Sequence, residues 1–143
     1  MGVFYDVIVL GSGPAGLQAA VHAARRKARV LVLGRAAGSN CLKARIENLV
    51  GFKGPTGEEV VRVGRAQAAV SGAELREEDA VALAREDETF AVKCESGETF
   101  RAHSSQTPAS SMVVAGESSI ELEALDDDDD KDTDRALDDG DTQ

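Results

Sequence analysis

The sequence predicts an α/β fold: a parallel sheet with helices, joined to a β-meander and followed by an acidic tail expected to be disordered. Three observations carry this prediction. An apolar run, a glycine-rich turn, an amphipathic stretch and a second apolar run succeed one another within about 30 residues, the span of a βαβ unit. Residues 79–102 break instead into short segments divided by turn residues. From Asp126 onward apolar residues almost vanish.

Taken in order, Tyr5-Asp6-Val7-Ile8-Val9-Leu10 is a β-branched apolar run and reads as a buried parallel strand. Gly11 to Gly16 form a turn, and a helix follows to about Lys27, with Leu17, Ala20, Val21 and Ala24 on one stripe. Arg25, Arg26 and Lys27 sit in its last turn, where cations favour the negative end of the macrodipole. Val30 to Leu33 is the second buried strand. Residues 34–54 read as a long functional or disordered loop. Thr56-Gly57-Glu58-Glu59 is a capping box opening a helix to about Ser71. Val60, Val63, Gly64, Ala68 and Val70 are expected inward, and Gly72 is a natural stop. The meander is expected at roughly 79–84, 89–94 and 98–102, with Phe90, Val92 and Cys94 on the buried face and Glu95-Ser96-Gly97 as a turn. Past Ala102 the periodicity is lost, apart from the strand-like Met112 to Gly116. The expected division is therefore a domain over 1–102, an irregular segment over 103–125 and a disordered tail over 126–143.

Charge and composition narrow the function. The chain has 143 residues and a formal net charge of −10. The tail holds −8 of that, so the body is nearly neutral. A cationic nucleic-acid face and a base-stacking platform are both poorly supplied, with no Trp and five other aromatics. No apolar run approaches the roughly 20 residues of a membrane span. The N-terminus lacks the basic region of a secretory signal, and Cys41 and Cys94 form no CxxC, so a cytoplasmic protein with reduced thiols is expected. His22 and His103 are expected at the surface, and the aspartate run lacks the turn and spacing of a metal loop, so no metal site is expected. Asp127 to Lys131 resembles an enteropeptidase recognition sequence, which an Asp-rich tail produces by chance.

The chemistry is concentrated in Gly11-Ser12-Gly13-Pro14-Ala15-Gly16, a G-x-G-x-x-G between a strand and a helix. Gly11 allows the tight turn, Gly13 removes the side chain where a pyrophosphate approaches, and Gly16 lets helix pack on strand; the helix amides then receive the phosphates. The plain structural alternative is a glycine turn that binds nothing. An acid is expected about 20 residues on, to hold a ribose 2′-hydroxyl. Gly34-Arg35 stands there instead. Arg35 would suit a 2′-phosphate, hence NADP, or be a solvated surface residue.

Two stretches resemble the thioredoxin-reductase-like flavoproteins: Tyr5 to Arg26, and Ile46-Glu47-Asn48-Leu49-Val50-Gly51-Phe52 followed by Gly57-Glu58-Glu59 and Gly72-Ala73-Glu74. The resemblance covers about residues 4–102. It implies an incomplete Rossmann-like FAD-binding fold in which Gly11, Ser12, Gly13, Pro14, Ala15 and Gly16 hold the FAD pyrophosphate. Gly34 and Arg35 would flank the adenosine ribose, Asn48 would lie near the flavin, and backbone at Ala80 would meet adenine. Phe52 and Pro55 would shape the loop. Some family members also lack the acid after the second strand.

The family pattern then gives way. Its NAD(P)H-binding domain, redox CxxC and returning C-terminal segment have no counterpart, so a truncated or frame-altered product is expected. No catalytic residue is identified, and Cys94 is expected to be a buried hydrophobe, with Cys41 more exposed. The leading reading is an FAD-binding module of an NAD(P)H-dependent oxidoreductase, unable to sustain NAD(P)H oxidation alone and, as the family allows, a homodimer. The alternatives are an NAD(P)-binding Rossmann module and a non-catalytic interaction protein acting through its acidic tail.

Overall fold

The computed structural model describes residues 4–39, 41–103 and 112–115. Two four-stranded sheets lie against each other. In chain order the elements are β1 (Phe4–Tyr5), β2 (Val7–Leu10), α1 (Pro14–Arg25), β3 (Val30–Leu33), a 3₁₀ turn (Ala36–Gly38), α2 (Gly57–Ser71), β4 (Glu74–Arg76), β5 (Ala80–Glu86), β6 (Thr89–Cys94), β7 (Thr99–His103) and β8 (Met112–Ala115). The first sheet has the order β4-β3-β2-β8 and is parallel throughout; the second has the order β1-β7-β6-β5. In the second, β5, β6 and β7 form the antiparallel meander, while β1 runs parallel to β7.

The apolar runs are continuous because the parallel sheet is covered on both faces. Val9, Val30 and Val32 pack on one side with Leu17, Ala20 and Ala24 of α1 and Val61 and Ala68 of α2. Ile8, Leu10, Leu31 and Leu33 pack on the other with Val92, Cys94, Phe100 and Ala102 of the meander. The two-residue alternation of a strand thus divides each run between a helical layer and a β layer.

Three expectations need correction. The first strand does not run unbroken over 5–10. It divides at Asp6, whose amide and that of Val7 both donate to the Arg29 carbonyl, at 2.9 and 3.2 Å. The Asp6 carboxylate accepts from the Arg29 amide at 2.7 Å, so β1 leaves for the meander while β2 stays in the parallel sheet. In α2, Val63 and Val70 face outward, at 37% and 91% exposure; Ala68 is buried as expected, and Gly57 and Val61 are buried with it. A Cβ on Gly64 would lie 3.1 Å from Leu17 Cδ1, so this glycine lets α2 sit close on α1. In β6, Ala91 is buried together with Val92 and Cys94, although alternation places it outside. One strand is additional: β4, which pairs with β3 from Glu74 opposite Leu31 to Arg76 opposite Leu33.

Other expectations hold. Thr56 Oγ1 accepts from the Glu59 amide at 3.2 Å, and the Glu59 carboxylate accepts from the Thr56 amide at 2.8 Å. That bond holds the Glu59 carboxyl below its ordinary pKa. Gly72 ends α2 in the left-handed conformation, with φ of 106°. Helix α1 stops slightly early, at Arg25. Met112–Ala115 is a strand, pairing with β2 so that Ala115 stands opposite Leu10. The acidic tail over 126–143 lies outside the described residues. No described helix is long and apolar enough to cross a membrane.

Candidate functional site

The glycine turn stands at the C-terminal end of the parallel sheet, between β2 and α1. Gly11 has a φ of 108°, and its amide donates to the Leu33 carbonyl at 2.7 Å. Ser12 is buried and its hydroxyl donates to the Gly34 carbonyl at 3.1 Å, tying the turn to the end of β3. Gly34 completes the contact: a Cβ there would lie 2.8 Å from the Ser12 nitrogen. A Cβ on Gly16 would lie 2.2 Å from the Gly11 carbonyl oxygen, which only hydrogen permits.

Gly13 differs. The one neighbour of a Cβ at that position would be Ser39 Oγ, at 3.5 Å, an ordinary contact. Nothing among the described residues requires glycine there. Gly13 is also the N-cap of α1; no side chain caps the helix, its first turn carries no acid, and Pro14 stands at its start. Leu17 donates to the Gly13 carbonyl at 3.0 Å, and among the described residues the first-turn amides of Ala15 and Gly16 have no partner. The arrangement is open, uncapped and dipole-positive, and it suits an anion.

The remaining residues named from the sequence divide. Arg35 follows Gly34, and its guanidinium bonds Glu95 and lies 3.4 Å from Asp79. The Glu95 carboxylate raises its pKa further. Ala80 is half-buried, packs on the meander-side core and directly follows Asp79, so Arg35 and Ala80 share one edge of the site. Asn48 is exposed; its neighbour Leu49 lines a groove of about 840 Å³ with Pro14, Leu17, Phe52, Val60 and Val63. Phe52 and Pro55 line the same groove. The structure thus ties the glycine turn to Gly34 through Ser12, and brings the loop that carries Asn48 to the groove between α1 and α2.

Sequence reasoning missed the acids. Glu77 Oε2 accepts from the Ala36 amide at 3.0 Å, and its other oxygen holds Arg65. Glu95 also accepts from the Asp79 amide at 3.3 Å. The Glu77-Glu78-Asp79 run was visible, but its distance in sequence from Gly34 gave no sign of the meeting.

The cysteines are both free thiols. Burial, then nearby Glu78, pushes the Cys94 thiol up to about 11, so it behaves as a small hydrophobe. Cys41 is half-buried, its sulfur 3.0 Å from Ser39 Oγ. His22 and His103 are exposed, His103 stacking on Phe4 at 4.4 Å. No cluster of metal-ligating side chains occurs among the described residues.

The chain is similar to known proteins in sequence and fold. The model of the pyridine nucleotide-disulphide oxidoreductases matches residues 5–138. A thioredoxin reductase of Aquifex aeolicus is 45% identical over 74 residues, which are 50% of this chain and 23% of that protein. A bifunctional thioredoxin reductase/thioredoxin of Mycobacterium leprae is 39% identical over 101 residues, 68% of this chain and 22% of that one. Among solved structures, an atypical thioredoxin reductase from Desulfovibrio vulgaris Hildenborough superposes with a TM-score of 0.64 at 31% identity, covering 80% of this chain and 36% of its own. The chain therefore spans only about a quarter of the length of these curated relatives. It belongs to the pyridine nucleotide-disulphide oxidoreductase family, with the Rossmann-like fold of the FAD-binding domain of thioredoxin reductases.

Proposed function

We propose that the chain binds FAD and acts as the FAD-binding module of a thioredoxin-reductase-like, NAD(P)H-dependent oxidoreductase. The observation that carries this reading is the space over Gly13. Gly16 and Gly34 are explained by contacts within the fold, whereas among the described residues Gly13 has no such reason, and it stands at an uncapped helix N-terminus. A pyrophosphate explains both. In this reading Gly11, Ser12, Gly13, Pro14, Ala15 and Gly16 hold the pyrophosphate, with Gly34 and Arg35 beside the ribose. Ala80 lies toward adenine and Asn48 toward the flavin. When bound, the flavin supplies the hydride-accepting chemistry; the chain's residues bind and orient it. Residues 1–102, extended by β8, form the binding unit. A family-like homodimer and a cytoplasmic location complete the reading, and two free thiols suit the latter.

The test is the identity of the nucleotide released from purified protein on denaturation, together with FAD titration of Gly13→Val. That variant is expected to keep its circular dichroism and lose FAD, because its side chain enters open space and obstructs the amides. Release of NAD(P) alone would favour the second reading, an NAD(P)-binding module. Undiminished FAD binding by the variant would refute the site.

A further inference from the structure

We infer that the basic corner formed by Arg25, Arg26, Lys27 and Arg29 is a docking surface for the chain's own acidic tail, residues 126–143. The inference stands apart from the reading of the glycine turn, which lies at the other end of α1.

The corner is built where α1 turns back into β3. Arg26 caps the helix, and the amides of Lys27 and Ala28 donate to the Ala24 and Ala23 carbonyls, at 2.9 and 3.3 Å. This crossed pair of bonds places a left-handed residue just after the cap, where glycine is usual. Lys27 takes that place, with φ of 69°, although the conformation disfavours any side chain. Arg25 and Arg26 complement the negative end of the helix dipole. Arg29 lies beyond the helix, and that reason does not extend to it. All four residues are exposed.

Their charge is not met within the fold. Arg35, Arg65, Arg76 and Arg101 each pair with a carboxylate, whereas among the described residues none of these four does. The Asp6 carboxylate accepts from the Arg29 amide, while the Arg29 guanidinium lies over the Tyr5 ring at 5.5 Å. Four positive charges therefore stand within the stretch 25–29, open to solvent.

The tail supplies the complement. It holds ten aspartates against Lys131 and Arg135, a net of −8. It can also reach. β8 ends at Ala115 opposite Leu10, at the glycine-turn end of the sheet, whereas Arg29 precedes Val30 at the opposite end. The way back is the length of α1, 12 residues or about 18 Å. Residues 116–125 extend to about 33 Å, enough to bring Asp126 to the corner. Each exposed ion pair is weak by itself. The tether keeps acids and bases at high local concentration, so that several weak pairs act together. Docked there, the tail carries its charge away from the turn that suits an anion.

The test is carbodiimide coupling of the full chain, which joins a lysine amine to a carboxylate in contact with it, read by mass spectrometry. At low salt Lys27 is expected to couple to the tail at least about threefold more than Lys43, Lys53 or Lys93, which are also exposed. An undocked tail would instead favour lysines near its exit, such as Lys53, which lines the groove with Pro14 at the start of α1. The preference should vanish in about 1 M salt, where charges are screened within about 3 Å. The variant Arg25→Gln, Arg26→Gln, Arg29→Gln keeps Lys27 as reporter, and its Lys27 coupling is expected to fall to the level of the other lysines. The three sites are exposed, so its circular dichroism should be unchanged; the salt series on the unmodified chain decides without it. Mixing isotope-labelled with unlabelled chain distinguishes a tail docked on its own chain from one docked on a second copy. Equal coupling of the four lysines, coupling indifferent to salt, undiminished coupling in the folded variant, or tails joined mainly to another copy would overturn the inference.

Discussion

The glycine turn and the loop over residues 41–55 differ in what holds them, although both are proposed to face the same cofactor. The turn is locked by its own backbone. Gly11 bonds Leu33, Ser12 bonds Gly34, and Gly16 and Gly34 approach other backbone atoms too closely for any side chain. The loop is fastened at its base, where Ile46 donates to the Pro55 carbonyl at 2.9 Å and Gly57 to the Ala44 carbonyl at 2.9 Å. Its tip is apolar yet open: Leu49, Val50 and Phe52 are 37%, 97% and 55% exposed. A close backbone packing is complete in itself. An exposed apolar tip is a surface on which contact with another group would release water.

The largest effect should come from Gly16→Ala. Its methyl would fall 2.2 Å from the Gly11 oxygen, and backbone rather than a flexible side chain must move. A loss of about 3 kcal/mol, at the upper end of overpacking costs, is expected in urea unfolding. An unchanged midpoint would show that the turn is not locked in this way. Because Gly13→Val is expected to spare the fold, the pair separates the packing glycine from the binding glycine.

An intermediate effect should come from Tyr5, which ties the meander to the parallel sheet. Its hydroxyl donates to Glu74 at 2.8 Å, and burial followed by this bond pushes its pKa up to about 12. A raised pKa means that the stabilisation is complete below about pH 10, the unfolded value, and fades as pH rises toward 12. Tyr5 is the only tyrosine, so phenolate absorbance reads it directly. Titration near 12 in the folded chain and near 10 in urea is expected; coincident curves would remove this tie. The smallest effect should be that of Val50→Ser at the loop tip. Within about 0.5 kcal/mol of the unmodified chain is expected, as for an exposed site. A larger loss would mean that the tip is covered in solution, making the two regions more alike.

Local chemistry was legible from the chain. The capping box at Thr56 and Glu59, the left-handed stop at Gly72, the strand Val30–Leu33 and the turn at Gly97 each depend on neighbours in sequence. So did the position of the glycine turn between strand and helix. What escaped depended on distant partners. β4 has three residues, two of them charged, and it is a strand only because β3 offers an edge. Val63 and Val70 looked like core because periodicity gives a stripe without saying which stripe a neighbour covers; Leu17 packing over Gly64 decides that.

The sequence by itself determined the strand–turn–helix–strand unit from Val7 to Leu33, the start and stop of α2 and the turn that suits a phosphate, because each is a matter of adjacent residues and steric rules over one or two turns of chain. Only the tertiary structure decided the environment of Arg35. Its neighbours in sequence are Gly34 and Ala36, and nothing in them distinguishes a phosphate ligand from a surface cation. Folding brings Asp79 and Glu95 from 44 and 60 residues away, and Coulomb interaction depends on distance in space rather than along the chain.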